Sequence, residues 1–305
     1  MRHVDRLMFA IPRWESRGTP LAVGRTLLAV ATLTAILWTP DRGLFGDVAG
    51  LSSGANCAGV GAISLWCPLA TVPHGILVGR IVSVAVLLTV CSGYRPNRTC
   101  VPHWYVTFSL GSSMFQPQGG DNAAKAATLL LIPICLGDTR VWQWSRPEIP
   151  MAPRWRGSAL AATFVTRLQV LVIYAVAVGT KLADPAWSHG IALYLLDNDP
   201  INGFVPFART LSAPILGSYW PAALLSWAVI VAEAVIAVAI VGPRRVRRYA
   251  LVVTVVLHLS IAVGMALPGF GITMIGLVTV AYAGRFTPVG GPQHATLTVD
   301  YSAGQ

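Results

Sequence analysis

The stretch Ala222-Ala-Leu-Leu-Ser-Trp-Ala-Val-Ile-Val-Ala-Glu233-Ala-Val-Ile-Ala-Val-Ala-Ile-Val241 carries a single ionisable residue. At about 1.5 Å of rise per residue, its helix matches the roughly 30 Å hydrocarbon core of a bilayer. A run that is apolar on every side reads as a membrane span rather than as the amphipathic helix of a soluble domain. Five further runs share this character: Leu21–Trp38, Ile76–Cys91, Thr163–Leu182, Ala250–Leu267 and Phe270–Ala283. Two shorter ones, Trp104–Phe115 and Asn122–Leu136, flank the polar turn Gln116-Pro-Gln-Gly-Gly-Asp121, which suits a tight hairpin. The expected fold is an all-α polytopic helix bundle of about eight transmembrane segments, or about six if residues 104–136 are re-entrant.

Composition agrees. Charged residues make up 11% of the 305 positions and hydrophobic ones 54%, whereas a soluble domain carries roughly 25% charge. Mean hydropathy is +0.63. The net charge of +10 would suggest nucleic acid in a soluble protein. In a membrane protein it is what arginine-rich cytoplasmic loops produce, so the lipid bilayer is the expected partner and nucleic acid is not. Only Arg42, Arg80, Lys125, Lys181 and Arg209 fall on the sparsely charged side of the eight-span arrangement, and the rest of the 22 basic residues fall on the other. This split places both termini in the cytoplasm of a bacterial cell membrane. The domain reading follows: a basic cytoplasmic N-terminus over 1–20, one multi-spanning domain over 21–285, and a polar cytoplasmic tail over 286–305. No cleavable signal peptide is evident, because the first apolar run is long for a signal segment. Two long loops, Thr39–Gly75 and Ala183–Pro221, are expected at the outer face, where long connections tend to be functional or mobile.

The first of these loops holds Cys57 and Cys67. An oxidising compartment favours a disulfide between them, and a redox-active pair is the sharper alternative. Cys91, Cys100 and Cys135 read as packed thiols at the inner face. No spacing of Cys and His supports a metal site.

Three residues are anomalous at membrane depth, where a charge costs roughly 2.5–3.5 kcal/mol. Lys181 closes the run Tyr174-Ala-Val-Ala-Val-Gly-Thr-Lys181-Leu182. It is either a snorkelling interface lysine paired with Asp184, or a desolvated lysine usable as a base. Glu233 has no basic residue within four positions, so its partner must come from another helix. His258 lies mid-span and is either a hydrogen-bonded structural residue or the partner of Glu233 in a proton-handling pair. Arg80 and Asp121 could pair in the same way near the outer face, and Arg167 reads as a topology anchor.

Several of these residues recur in a recognisable order. Arg167-Leu-Gln169, Tyr174, Gly179-Thr-Lys181-Leu182 and Trp187-Ser-His-Gly190 together resemble the central motif of the vitamin K-dependent carboxylase-like (HTTM) membrane domain. Glu233 before Pro243-Arg-Arg245, His258 ahead of Phe270, and Asp121 after Gly119-Gly120 resemble it as well. Within that superfamily, His103-Trp-Tyr105, Phe108-Ser109, Gly119-Gly-Asp121 and Leu129-Leu-Leu-Ile-Pro133-Ile-Cys135 are most similar to the sporulation-delaying protein B family. The resemblance spans about Leu21 to Arg285 and implies roles. Lys181 would be a catalytic base with Glu233 and His258 handling protons. Asp121, Tyr174, Trp187 and Gly190 would support them; the residues leave the cofactor unknown, and the resemblance alone admits a vitamin K-like quinone. It further implies a membrane component of an antimicrobial-peptide maturation system, acting with a small partner protein on an exported precursor peptide. Whether the chain is an enzyme stays open; an enzymatic version is a lysine-based carboxylase- or epoxidase-like, or peptide-modifying, activity. Glutamate carboxylation itself is not implied, because nothing in this chain matches the large lumenal region of the carboxylase. The alternative class is a proton-coupled transporter or immunity protein without covalent chemistry.

Overall fold

The computed structural model describes residues 14–46, 54–199 and 203–286. The N-terminal segment through Arg13 and the tail from Thr287 lie outside the described residues, so the expectations for them are not addressed by it. Eight helices of 15 to 31 residues dominate the described residues. They are α1 (Thr19–Trp38), α2 (Gly75–Ser92), α3 (Pro96–Ser113), α4 (Gly119–Cys135), α5 (Pro153–Ala183), α6 (Tyr219–Ala239), α7 (Arg244–Gly264) and α8 (Pro268–Tyr282). Helices α1, α2, α5, α6 and α7 are each long and apolar enough to cross a membrane, and α8 is a shorter apolar helix. The protein is an all-α polytopic membrane protein.

The two short apolar runs belong to longer helices than hydropathy alone reveals. Helix α3 begins at Pro96, a residue suited to the first turn because its missing N–H would have no partner there. Asn97, Arg98, Thr99 and His103 mask this half of the helix from a hydropathy reading. Helix α4 begins at Gly119, inside the expected turn. Gln118 and Asp121 form a reciprocal capping box there, with the Gln118 N–H donating to Asp121 Oδ2 at 2.8 Å.

The helices are patterned for lipid. On α7, Ala250, Thr254 and His258 are buried one turn apart, while Val252, Val256, Leu259 and Val263 are exposed. On α6, Ser226, Glu233 and Ala237 face inward while Leu224, Val231 and Val238 face outward. Water would penalise so much outward apolar surface, and lipid does not. Small residues allow close approach. A Cβ on Gly24 of α1 would lie 2.7 Å from Val280 Cγ2 of α8, and one on Gly276 would lie 3.1 Å from Leu27 Cβ. Gly24→Ile is therefore expected to separate α1 from α8. The check is the yield of monodisperse protein after detergent extraction, which should fall several-fold, whereas Gly119→Ala, with open space around it, should leave the yield unchanged.

One end of the bundle gathers arginines into specific contacts. Arg17 binds Glu15 and the Ile149 carbonyl. Arg167 donates to the Ala281 and Ala283 carbonyls, where it caps the end of α8. Arg244 stacks over Tyr282. Strand Trp14–Glu15 pairs antiparallel with Arg285–Phe286 at the same end. Arg25, read from sequence as part of the basic flank, is instead 1% exposed inside the bundle. Its guanidinium donates from its two terminal nitrogens to Gln143 Oε1 at 2.9 Å and Thr99 Oγ1 at 2.6 Å, while Nε is left without a partner. The expected Arg80–Asp121 pair does not form. Arg80 binds Asp41 and the Ile36 and Thr39 carbonyls, so it caps α1.

The long connections carry structure of their own. Cys57 and Cys67 are disulfide-bonded. The loop they close is held against α3 by Ser64–Ser113 and Leu65–Ser109 hydrogen bonds, with Trp66 buried beside Phe45. Reduction with a membrane-permeant thiol is expected to destabilise the protein by about 2–4 kcal/mol, read as a lowered Tm that Cys57→Ser reproduces. The second connection contains three short helices, Pro185–Ser188, Ala192–Asp197 and Pro206–Leu216.

Candidate functional site: an ion pair in a cleft between helices

Lys181 lies in the last turn of α5 and Glu233 in the second half of α6. Each is isolated in its own helix, and the fold brings them together. Lys181 Nζ donates to Glu233 Oε1 at 2.9 Å. The side chains are 20% and 10% exposed, so the pair is largely removed from solvent. The expected pairing of Lys181 with Asp184 does not occur. Asp184 instead accepts the Ala186 N–H at 2.8 Å, capping the short helix that follows α5. Trp187, carried by that helix, covers the ammonium with its ring centroid 5.1 Å from Nζ.

His258 meets Tyr174 rather than Glu233. Its Nδ1 lies 3.1 Å from the Thr254 carbonyl, an acceptor, so Nδ1 carries the proton. Nε2 is then the acceptor, and the Tyr174 hydroxyl, 3.4 Å away, is the donor. The imidazole ring packs edge-on to Tyr174 and beside Phe270.

Lys181, Glu233, Tyr174 and His258 share one cleft of about 410 Å³ between α4, α5, α6, α7 and α8. Ile173, Ala177, Phe270 and Met274 supply its apolar walls. This size and mixture of surfaces suit a small-molecule or peptide-segment site. The cleft also includes Gln169, to which sequence reasoning assigns no role. Its Nε2 donates to the Ala123 carbonyl at 3.2 Å, which turns Oε1 away from that contact. A glutamine in mid-span was the available signal. Two cleft oxygens, Glu233 Oε2 and Gln169 Oε1, are buried without a hydrogen-bond partner.

The remaining expected residues sit outside the cleft. Asp121 caps α4 and faces a small gap lined by Thr32, Thr107 and Thr273. Gly190 adopts φ +77°, and a Cβ there would lie 2.6 Å from Ala223 Cβ. Its carbonyl accepts from Ser226, so it docks the second connection against α6. Among the described residues no cluster of His, Cys, Asp and Glu is arranged to hold a metal ion.

Fold and cleft together define a helical membrane protein with a largely buried lysine–glutamate pair beside a tyrosine–histidine pair. The chain is 31% identical over 279 residues to the uncharacterized protein YitO of Bacillus subtilis (strain 168), covering 90% of this chain and 89% of YitO. It is 26% identical over 260 residues to the sporulation-delaying protein SdpB of the same organism, covering 85% of this chain and 79% of SdpB. The chain belongs to this SdpB-like family. No family profile matches it, and no solved structure matches it.

Proposed function

We propose that the protein is the membrane component of a system that matures a secreted antimicrobial peptide of the sporulation-delaying type. It acts with a small partner protein on an exported precursor at the outer face of the bacterial cell membrane. The similarity to SdpB over most of both chains carries this reading. The arginine-rich end of the bundle is its cytoplasmic end, and the pairing of residues 14–15 with 285–286 supports both termini lying there. Helices α1 to α8 are then eight crossings of one membrane domain over 21–285, with basic and polar cytoplasmic segments on either side.

In this reading Lys181 is the base, and Glu233 receives or returns its proton along the 2.9 Å hydrogen bond. Tyr174, on the same helix as Lys181, and His258 form a second proton-handling pair in the same cleft. The likeness to the vitamin K-dependent carboxylase-like domain bears on the ligand. Phe270, Ile173, Met274 and Lys181 are the residues that would hold a quinone, but its oxidised carbonyls would leave the buried acceptors Glu233 Oε2 and Gln169 Oε1 unpaired. Such a group, when bound, would supply two-electron redox chemistry.

The test is reconstitution of peptide production in a host that lacks the system. Precursor and partner with this chain should release mature peptide, and omission of this chain should abolish it. Mature peptide made without the chain would overturn the reading. Protection of a sensitive cell by this chain alone would favour the immunity alternative.

A further inference from the structure

The polar atoms of the cleft specify what its occupant must bring. Lys181 has one ammonium hydrogen committed to Glu233 Oε1, which leaves two to donate. The other Glu233 oxygen has no partner, on a side chain 10% exposed. Gln169 Oε1 is buried and unpartnered, and its orientation is set because only the amide nitrogen can donate to the Ala123 carbonyl. Tyr174 and His258 satisfy each other and Thr254, so they demand nothing. The cleft thus offers two unpaired acceptors beside a cation with spare donors.

The phosphate of a phosphodiester headgroup brings only acceptors and a negative charge, which Glu233 repels. An oxidised ring carbonyl likewise gives nothing to Glu233 Oε2 or Gln169 Oε1. Each unpaired buried acceptor carries an uncompensated desolvation penalty until a donor reaches it. A peptide main chain carries one donor and one acceptor at each residue. Its side chains can lie along the apolar wall of Ile173, Ala177 and Met274.

We propose that the cleft binds an extended peptide segment by its main chain, with N–H groups donating to Glu233 Oε2 and Gln169 Oε1 and a carbonyl accepting from Lys181. This rests on the maturation reading for the peptide's identity, and it adds that recognition is through backbone amides inside the membrane domain. The segment reads as apolar and sequence-tolerant, since these contacts touch no side-chain polar group of the peptide.

The test uses the purified full chain in phosphatidylglycerol–phosphatidylethanolamine nanodiscs. The probe is a benzophenone-capped Leu-Leu-Leu methylamide, photocrosslinked and mapped by mass spectrometry. Crosslinks are expected on α5 between Gln169 and Ala177. A depsipeptide of the same sequence, with the central N–H replaced by oxygen, should compete at least about 10-fold more weakly, as loss of a hydrogen bond to a buried or charged acceptor requires. Gln169→Met should weaken crosslinking by a similar factor, with Tm measured to confirm folding. The wild-type comparison of amide with ester needs no variant at all. Equal competition by amide and ester, crosslinks confined to other helices, or a cleft that takes up neither probe would overturn the proposal. Those outcomes in a chain that still supports peptide production would leave the maturation reading standing. Amide selectivity in a chain that makes no peptide would do the reverse.

Discussion

Lys181→Met is expected to destabilise the folded protein by about 3–5 kcal/mol, because it leaves the Glu233 carboxylate buried with neither oxygen paired. In the native chain one of those oxygens is held at 2.9 Å by the ammonium and the other already has no partner. Glu233→Leu alone should cost a similar amount, since the Lys181 ammonium then keeps only the face of Trp187. Lys181→Met combined with Glu233→Leu removes both charges and should restore stability to within about 1 kcal/mol, because apolar replacements of a buried pair are often neutral. Unfolding in mixed micelles, followed by tryptophan fluorescence, reads all three. Additive losses in the double variant would mean that the two side chains are not coupled, contrary to the observed geometry.

Lys181→Arg has the second large effect, on function rather than on folding. Arginine can keep the ion pair and the stacking over Trp187, so the protein should insert and remain stable. It cannot give up its proton, whereas a lysine partnered with a carboxylate can pass one along the shared hydrogen bond. Mature peptide released by cells carrying this variant should fall by at least about 100-fold, the lower range of what a general base contributes. If Lys181 only pinned α5 to α6, peptide output would instead follow the unchanged stability.

The apolar helices were legible because hydropathy reports lipid exposure directly, and residues such as Val252, Val256 and Val263 are indeed on the outside. Lys181, Glu233 and His258 were legible as anomalies for the same reason. Their partners were not. Asp184 is near Lys181 in sequence but is occupied as a helix cap, and the true partner is 52 residues away. Periodicity shows which residues share one helix face. It does not show which face of which other helix lies opposite, so Tyr174 rather than Glu233 at His258 could only come from the packing. Gln169 was visible in the motif resemblance but drew no role of its own, because an uncharged amide costs less in a span than a charge does and its role depends on an orientation set by Ala123. Arg25 was legible as part of the basic flank but not as a buried residue. Basic residues flanking a span are normally topology signals, and this one is one turn too deep, where Gln143 and Thr99 enclose it.

The central claim is that the Lys181–Glu233 pair performs chemistry on an exported peptide and is not merely a structural clamp. It is tested most directly by mature-peptide output from cells carrying Lys181→Met with Glu233→Leu, with the variant inserted at the wild-type level. The account predicts a stable, correctly inserted protein that releases no mature peptide. Wild-type peptide output from that double variant would contradict it.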